Sequence, residues 1–269
     1  MSHPPAALLA GAVLAGAVLA GAVLAGAVLA GAVLAGAPGQ ASPAAATSAL
    51  PLAGRVVAID PGHQLGNSRF PAQVDRRVWV GLWKPCNSTG TATNGGFPEA
   101  TFTWWVSRRL AVRLEALGAT VRMTRTTNSR DDWGPCVDAR GRFGAEVGAD
   151  LEVSVHGDGA AAGTHGFFVI RPGARPGYTD DIAGRSSVLA GHVRAGLLGV
   201  GFGASTAYGG DGLDTRRDLG TLTMADVPTV MVELGNMRNA GDARCMTSAS
   251  CRDRYARGLA DGVLAYLSR

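Results

Sequence analysis

Short apolar runs rich in β-branched residues alternate with segments of helical periodicity through residues 51–269. The clearest runs are Arg55–Asp60, Asp150–Val155 and Thr229–Val232, and each predicts a buried strand. The strongest helical pattern covers Pro98–Leu117, with Pro98 suited to the first helical position and Gly118 to the C-terminal cap. This alternation predicts an α/β fold in which helices cover both faces of a mostly parallel sheet.

Weaker patterns complete the predicted order of elements. Further strands are expected at Ala119–Thr124, Gly166–Arg171 and Leu219–Met224, and further helices at Val137–Val147, Ser186–Leu198 and Arg252–Leu267. Residues 64–97 are rich in Gly, Asn, Thr and Pro and predict a long loop. Residues 51–269 are numerous enough to form one α/β domain with a full hydrophobic core.

Polar side chains follow three of the predicted strands at the points where the strands end. His63 follows the first strand, His156 the Asp150–Val155 strand and Glu233 the Thr229–Val232 strand. Glu99 stands in the first turn of the long helix. Ligands of open α/β sheets bind beyond the carboxyl ends of the strands, so these four side chains are expected to meet at one edge.

Two imidazoles and two carboxylates match the needs of a catalytic zinc site. Three protein ligands hold the metal and leave a position for water, whose pKa falls towards about 7. We expect one zinc ion per chain, held by His63, Glu99 and His156. Glu233 is then the general acid/base that takes the proton of the zinc-activated water and passes it to the leaving amine.

Each of these residues also has a structural interpretation. A histidine after a strand is often a loop residue, Glu99 could simply complement the helix dipole, and Asp60 after an apolar run is often a turn residue. The spacings between the four residues match no short zinc motif. His165, close to His156 in sequence, is the reserve candidate, whereas His192 is expected to be structural.

The N-terminal segment differs from the rest of the chain. Residues 11–35 are five copies of Gly-Ala-Val-Leu-Ala, and all 46 charged residues lie beyond residue 50. Residues 1–37 are expected to be an export signal or an uncleaved membrane anchor, with membrane contact confined to 6–37. A Pro/Ala/Ser linker follows at 38–50. The protein is therefore expected to be exported to the periplasm, cell wall or extracellular space.

Four cysteines are present, and none forms a Cys-x-x-Cys pair. An even number in an exported protein favours two disulfides over a structural zinc site. Of the three pairings, Cys245–Cys251 is preferred because it closes a short loop, which leaves Cys86–Cys136. Free buried thiols are the alternative.

The distribution of charge argues against a nucleic-acid partner. The net charge is +4 and no Lys/Arg cluster is present, so a nucleic-acid groove is not expected. Nothing in the pattern requires an oligomer, and a monomer is the default expectation.

The polar residues at the strand ends belong to longer motifs with a family resemblance. Together they resemble the zinc-dependent N-acetylmuramoyl-L-alanine amidases of the AmiC-like (Amidase_3) type. The matching segments, in order along the chain, are Val56–His63, Pro98–Glu99, Val121–Arg125, Arg140, Leu151–His156, Arg217–Leu222 and Pro228–Asn236.

The resemblance implies a single catalytic domain at 51–269 with a mixed six-stranded sheet. It implies cleavage of the peptidoglycan amide bond between the lactyl group of N-acetylmuramic acid and L-alanine of the stem peptide. It carries the zinc ligands over to His63, Glu99 and His156 and the catalytic glutamate to Glu233. Asp158 stands where the family usually has Asn. A zinc deacetylase of wall sugars, or a domain that binds peptidoglycan without cutting it, are the alternatives.

Overall fold

A six-stranded sheet forms the centre of the computed structural model, which describes residues 49–268. The eight strands are β1 Val56–Pro61, β2 Arg77–Trp79, β3 Trp83–Pro85, β4 Thr120–Met123, β5 Leu151–Asp158, β6 Phe168–Pro172, β7 Leu213–Arg216 and β8 Thr229–Asn236. The helices are α1 Pro71–Val74, α2 Glu99–Ala116, α3 Val137–Glu146, α4 Ala183–Gly199, α5 Gly220–Thr223, α6 Ala240–Thr247 and α7 Ala249–Leu267. A 3₁₀ turn at Asn67–Arg69 precedes α1.

The sheet is mixed and mostly parallel, which confirms the predicted fold class. Its strand order is β4-β1-β5-β8-β6-β7. The first four strands run parallel to one another, β6 is antiparallel to β8, and β7 is parallel to β6. The carboxyl ends of β1, β5 and β8 therefore lie side by side at one edge of the sheet.

Alternation along the strands separates two layers of core. Val153 and Val155 of β5 join the large cluster packed against α2, α4 and α7. The intervening residues of β5 point to the opposite face, where α3 and α5 pack. On that face Met231 of β8 belongs to a smaller apolar cluster with Leu222 of α5. The central strands are thus covered on both faces, as the apolar runs predicted.

The prediction of a strand at Leu219–Met224 was wrong. This segment contains the short helix α5, and the sixth strand is β7, which precedes it. Helix α5 packs closely on α3, because a Cβ at Gly220 would lie 2.7 Å from Val137 Cγ2. Strand β7 pairs on one side only and is partly exposed, so it lacks the apolar run of a buried strand.

The predicted loop at 64–97 contains ordered elements that the sequence did not reveal. Strands β2 and β3 form a separate antiparallel hairpin, with Trp79 opposite Trp83. The disulfide Cys86–Cys136 joins the end of this hairpin to the start of α3, and Cys245–Cys251 joins α6 to α7. Both preferred pairings are confirmed.

The N-terminal predictions fall outside the part of the chain that can be described. The export segment at 1–37 and nearly all of the linker at 38–50 precede residue 49. Between residues 49 and 268, no helix combines the length and apolar character needed to cross a bilayer.

Candidate metal centre

Glu99 opens α2 and is held by the loop that precedes the helix. The backbone N–H of Thr91 donates to Glu99 Oε2 at 2.9 Å, and the Glu99 N–H donates to the Thr91 carbonyl at 2.9 Å. Gly90 makes this approach possible, because its φ is +75° and a Cβ there would lie 2.8 Å from both Glu99 Oε2 and His63 Cδ2. The carboxylate is thereby fixed inside the site, only 4 % exposed.

His63 lies two residues beyond β1 in a strained backbone conformation. Its φ is +58°, the sole positive value for a non-glycine residue between 49 and 268. Such a conformation costs about 1–2 kcal/mol and persists only where the surroundings enforce it. Here the guanidinium of Arg140 donates to the carbonyls of Pro61 and His63, at 2.8 Å each.

A second buried arginine ties the same turn to α2. Arg125 donates to the Pro61 carbonyl at 3.0 Å and to the Ala100 carbonyl, next to Glu99, at 2.8 Å. Thr103 of α2 also donates to the Gly62 carbonyl at 2.8 Å. These bonds fix the position of the His63 turn relative to the helix that carries Glu99.

His156 and Glu233 occupy facing positions on adjacent strands. They are register partners on β5 and β8, and an irregularity in the ladder follows directly. Both strands extend past the predicted ends, so the two residues lie inside strands and not after them. Gly62 leaves room for the His156 ring, because a Cβ at that position would overlap the imidazole.

His63, Glu99 and His156 converge on one point and form a cluster that we call the His–Glu–His cluster. Glu99 Oε1 lies 3.2 Å from His63 Nε2 and 3.0 Å from His156 Nδ1. One ligand atom from each residue lies within 4.8 Å of the others. The far nitrogen of the His63 ring, Nδ1, is 3.1 Å from the Ser88 carbonyl. A proton on Nδ1 satisfies that contact and leaves the Nε2 lone pair free for a metal.

The electrostatics keep Glu99 ionised. Burial alone would raise the pKa of Glu99, but the neighbouring His63 and His156 hold it well below its usual range. For His63, burial alone would lower the pKa. The Glu99 carboxylate outweighs that effect, and the pKa of His63 is raised. Glu99 is therefore an anion at neutral pH, as a metal ligand must be.

Glu233 has the opposite character. Its Oε2 atom is shut off from solvent and has no hydrogen-bond partner within the described chain. Burial, together with the negative charges of Glu99 and Asp158, raises the pKa of Glu233 well above its usual range. A carboxyl oxygen that is shut off from solvent without a partner costs stability, and such groups concentrate at functional sites.

The donor chemistry of the His–Glu–His cluster fits a zinc ion. Two imidazole nitrogens and one carboxylate oxygen are a common protein ligand set of catalytic zinc sites. The four residues selected from the sequence are thus brought together at one edge of the sheet. His165 is exposed and lies outside the cluster, and the His192 ring contacts Tyr266 on α7 at 6.3 Å between centroids.

Asp60 is a residue whose role the sequence did not reveal. It lies within β1, fully buried, and not in a turn. Its carboxylate accepts bonds from Arg140, from Thr124 at 2.6 Å and from Ser154 at 2.7 Å. It thereby orients the guanidinium that holds His63. The available signal was a charged residue at the end of an apolar run, which must have a buried partner.

An open cavity of about 260 Å³ gives access to the His–Glu–His cluster. His63 and His156 lie in its wall, together with Leu219 just before α5, Thr221 of α5 and Met231 of β8. Such a mixture of apolar lining and a few convergent polar groups is typical of substrate sites. An α/β sheet with a His–Glu–His cluster in a cleft at its carboxyl edge is typical of a metal-dependent hydrolase.

Comparison with known proteins identifies the kind of hydrolase. Residues 57–265 match the profile of the N-acetylmuramoyl-L-alanine amidase family. An N-acetylmuramoyl-L-alanine amidase of Mycobacterium tuberculosis is 39% identical over 228 residues, which cover 83% of this chain and 92% of the relative. The chain therefore belongs to the N-acetylmuramoyl-L-alanine amidase family, whose members are hydrolases of peptidoglycan, and it works at the cell wall or in the periplasm.

Solved structures of related amidases share the fold. The amidase Ami1 of Mycobacterium smegmatis aligns with a TM-score of 0.75 and 34% identity, over 80% of this chain and 98% of its own. The apo form of Ami1 from Mycobacterium abscessus gives a TM-score of 0.75 and 38% identity, over 80% and 100% of the two chains. The repeats at residues 7–37 separately match a pentapeptide-repeat profile in 8 copies, outside the described residues.

Proposed function

We propose that the protein cleaves the bond between the lactyl group of N-acetylmuramic acid and L-alanine by a zinc-dependent mechanism. His63, Glu99 and His156 hold one zinc ion per chain, and Glu233 is the general acid/base. The supporting observation is the convergence of both imidazoles on Glu99 Oε1, beside a glutamate that has an unpartnered carboxyl oxygen. The same domain at 51–269 acts as a monomer.

The chain's own residues set up the site before substrate arrives. The Ser88 carbonyl orients His63, and the Thr91 N–H holds the outer oxygen of Glu99. When bound, zinc supplies Lewis-acid chemistry that lowers the pKa of water towards about 7 and polarises the amide carbonyl. Preorganised ligands of this kind avoid reorganisation during the reaction.

Glu233 moves the proton. Burial and the charges of Glu99 and Asp158 raise the pKa of Glu233 well above its usual range, which makes the carboxylate a stronger base and suits a group that must accept a proton from water. The first transfer takes a proton from the attacking water to a Glu233 oxygen. The second returns that proton to the departing amine of L-alanine, so the carboxylate is restored for the next cycle.

Export is the proposed role of the N-terminal segment. Residues 1–37 act as a signal or anchor and 38–50 as a linker, which delivers the catalytic domain to the wall. The two disulfides support this assignment, because such bonds persist in oxidising compartments outside the cytosol.

The metal ligands are tested by exchanging one glutamate at a time on the same helix. Glu99→Gln should lower zinc affinity at least tenfold, since it replaces an anionic ligand with a neutral amide. Glu115→Gln, at an exposed position of α2, is the matched control and should bind zinc as the wild type does. The measurement is zinc content after dialysis against buffered zinc. Wild-type zinc content in Glu99→Gln would refute the ligand assignment.

The bond that is cut is tested by mass analysis of products from purified sacculi. The proposal predicts free stem peptides with an L-alanine amino terminus and intact N-acetyl groups on the sugars. Released acetate without free stem peptides would instead identify a deacetylase. Release of neither product from sacculi would favour a domain that binds the wall without cutting it.

A further inference from the structure

Two tryptophans project from the β2–β3 hairpin with about half of their surface in solvent. Trp79 is 51% exposed and Trp83 56%. They are register partners, and their rings meet edge to face with centroids 5.5 Å apart. Leu82, 37% exposed, lies beside them at the hairpin tip. Adjacent exposed apolar side chains of this size mark a surface that binds a partner.

The hairpin that carries this pair is held firmly to the body of the domain. Arg175 donates to the Gly81 carbonyl at the tip at 2.8 Å. Val80 is completely buried, in contrast to its two tryptophan neighbours. At the other end, Cys86 is joined to Cys136. A surface fixed at both ends binds a ligand with little loss of conformational freedom.

The aromatic pair lies on the hairpin whose second strand ends at the catalytic cavity. Because side chains alternate along a strand, Trp83 and Pro85 of β3 share one face, and Trp79 and Arg77 oppose them from β2. Lys84 and Pro85, which point to opposite faces of β3, are both part of the wall of the cavity that contains His63 and His156. Trp83 is therefore within two residues, or about 7 Å, of that wall along the strand.

We propose that Trp79 and Trp83 form a glycan-binding platform that stacks the sugar rings next to the muramic acid under attack. This inference rests on the peptidoglycan amidase activity but not on the zinc mechanism. One face of a pyranose ring presents C–H groups, which are attracted to the electron-rich face of an indole. Tryptophan also provides a large contact area at low conformational cost.

The features of the platform favour the glycan over the stem peptide. The platform is aromatic and its backbone is held at both ends, and the polymer with repeating rings that have an apolar C–H face is the sugar backbone. Since the cavity contains the scissile amide, a strand that passes over it must have sugars on either side of the reacting muramic acid. The hairpin is placed to bind the sugars on one of those sides.

The test uses peptidoglycan glycan strands freed of stem peptides, which contain no scissile amide and so report binding without turnover. Affinities of the full chain in detergent are measured by calorimetry. We expect W79A/W83A to weaken binding roughly tenfold or more, as truncation of aromatic anchors does. W79F/W83F should retain most of the affinity. Trp105→Ala, which removes an exposed tryptophan of α2, should bind as the wild type does.

Several results would overturn the proposal. The first is that the wild-type protein does not bind the stripped strands. The second is that W79A/W83A binds them with wild-type affinity, and the third is that Trp105→Ala loses as much affinity as W79A/W83A. An affinity loss confined to free stem peptides would assign the pair to the peptide, and loss of a wild-type dimer in sedimentation velocity would assign it to self-association. If the strands bind as expected but removal of zinc leaves the hydrolysis of sacculi unchanged, the platform stands and the zinc mechanism of the proposed function fails.

Discussion

Asp60 and Glu233 are both carboxyl groups near the same edge of the sheet, yet their surroundings differ completely. Asp60 accepts bonds from Arg140, Thr124 and Ser154. Glu233 has one oxygen that is inaccessible to solvent and unpartnered within the described residues. The charge and both oxygens of Asp60 are satisfied by the protein, whereas Glu233 keeps one oxygen without a hydrogen-bond donor.

The two environments shift the pKa values in opposite directions. Burial alone would raise the pKa of Asp60, but the Arg140 charge and the two hydroxyls bring it below its usual value. Burial and the charges of Glu99 and Asp158 raise the pKa of Glu233. Asp60, satisfied inside the protein, maintains the site, whereas Glu233, unpartnered and paired in register with His156, is available for chemistry there.

The largest expected effect is on activity, from Glu233→Gln. Loss of a general acid/base should lower kcat between about 10²- and 10⁴-fold. The melting temperature should not fall, because no internal bond to Oε2 is removed. Rates of stem-peptide release and thermal melts test both parts, with the exposed Glu146→Gln on α3 as control. Wild-type kcat in Glu233→Gln would remove the proposed role.

The largest expected effect on stability comes from Asp60→Asn. Breaking a buried ion pair and leaving Arg140 without its counter-charge should cost about 3–5 kcal/mol. Because the pKa of Asp60 is lowered on folding, its contribution is fully present above the unfolded pKa and is lost as pH falls through the folded pKa. The cost of Asp60→Asn should therefore be greatest at neutral pH and shrink in acid.

The control for that change is the exposed ion pair at the other end of β1. Asp150 contacts Arg55 at 3.0 Å near the surface and also accepts a bond from the Val56 N–H at 2.8 Å. The Asn oxygen can keep that bond, so Asp150→Asn should cost about 0–1 kcal/mol. Urea unfolding at several pH values measures both variants. Equal destabilisation by Asp60→Asn and Asp150→Asn would contradict the distinction between the buried and the exposed pair.

A smaller effect is expected from substitution of Glu152, another buried carboxyl. It lies on β5, accepts one bond from the Gly144 N–H at 2.9 Å, and its Oε1 has no partner in the described chain. Burial, reinforced by the Asp60 charge, raises its pKa well above the usual value. Its contribution to stability is thus fully present below the unfolded pKa and is lost as pH rises through the folded pKa.

Glu152→Gln should remove that loss. We expect the variant to gain about 1–2 kcal/mol relative to the wild type at pH 8, and little at pH 4. Urea unfolding at the two pH values is the measurement, with Glu146→Gln again as the exposed control. A gain of the same size at both pH values would mean that ionisation of Glu152 is not its cause.

The sequence was most informative where burial is deepest. The apolar runs of β1, β5 and β8 and the periodicity of α2 predicted those elements, because each is covered by other parts of the domain. Strand β7 at the sheet edge and the three-residue strands of the hairpin have no such apolar pattern. Their positions depend on tertiary contacts such as the Arg175 bonds to the hairpin tip.

The site was predicted as a set of residues but not as a geometry. Strand ends and the family resemblance identified His63, Glu99, His156 and Glu233. The positive φ of His63 and its support by Arg140 depend on chain segments far apart in sequence. Local patterns carry no information on such contacts, so the arginine positions could be noted from the sequence while their role could not.

Anomalous diffraction at the zinc edge, from crystals of the zinc-loaded protein, shows directly whether His63, Glu99 and His156 hold the metal. We expect one strong zinc peak per chain, in contact with His63 Nε2, the Glu99 carboxylate and His156 Nδ1, with Glu233 beside it. A peak bound elsewhere, or a cluster from which any of these three ligands is turned away, would contradict it.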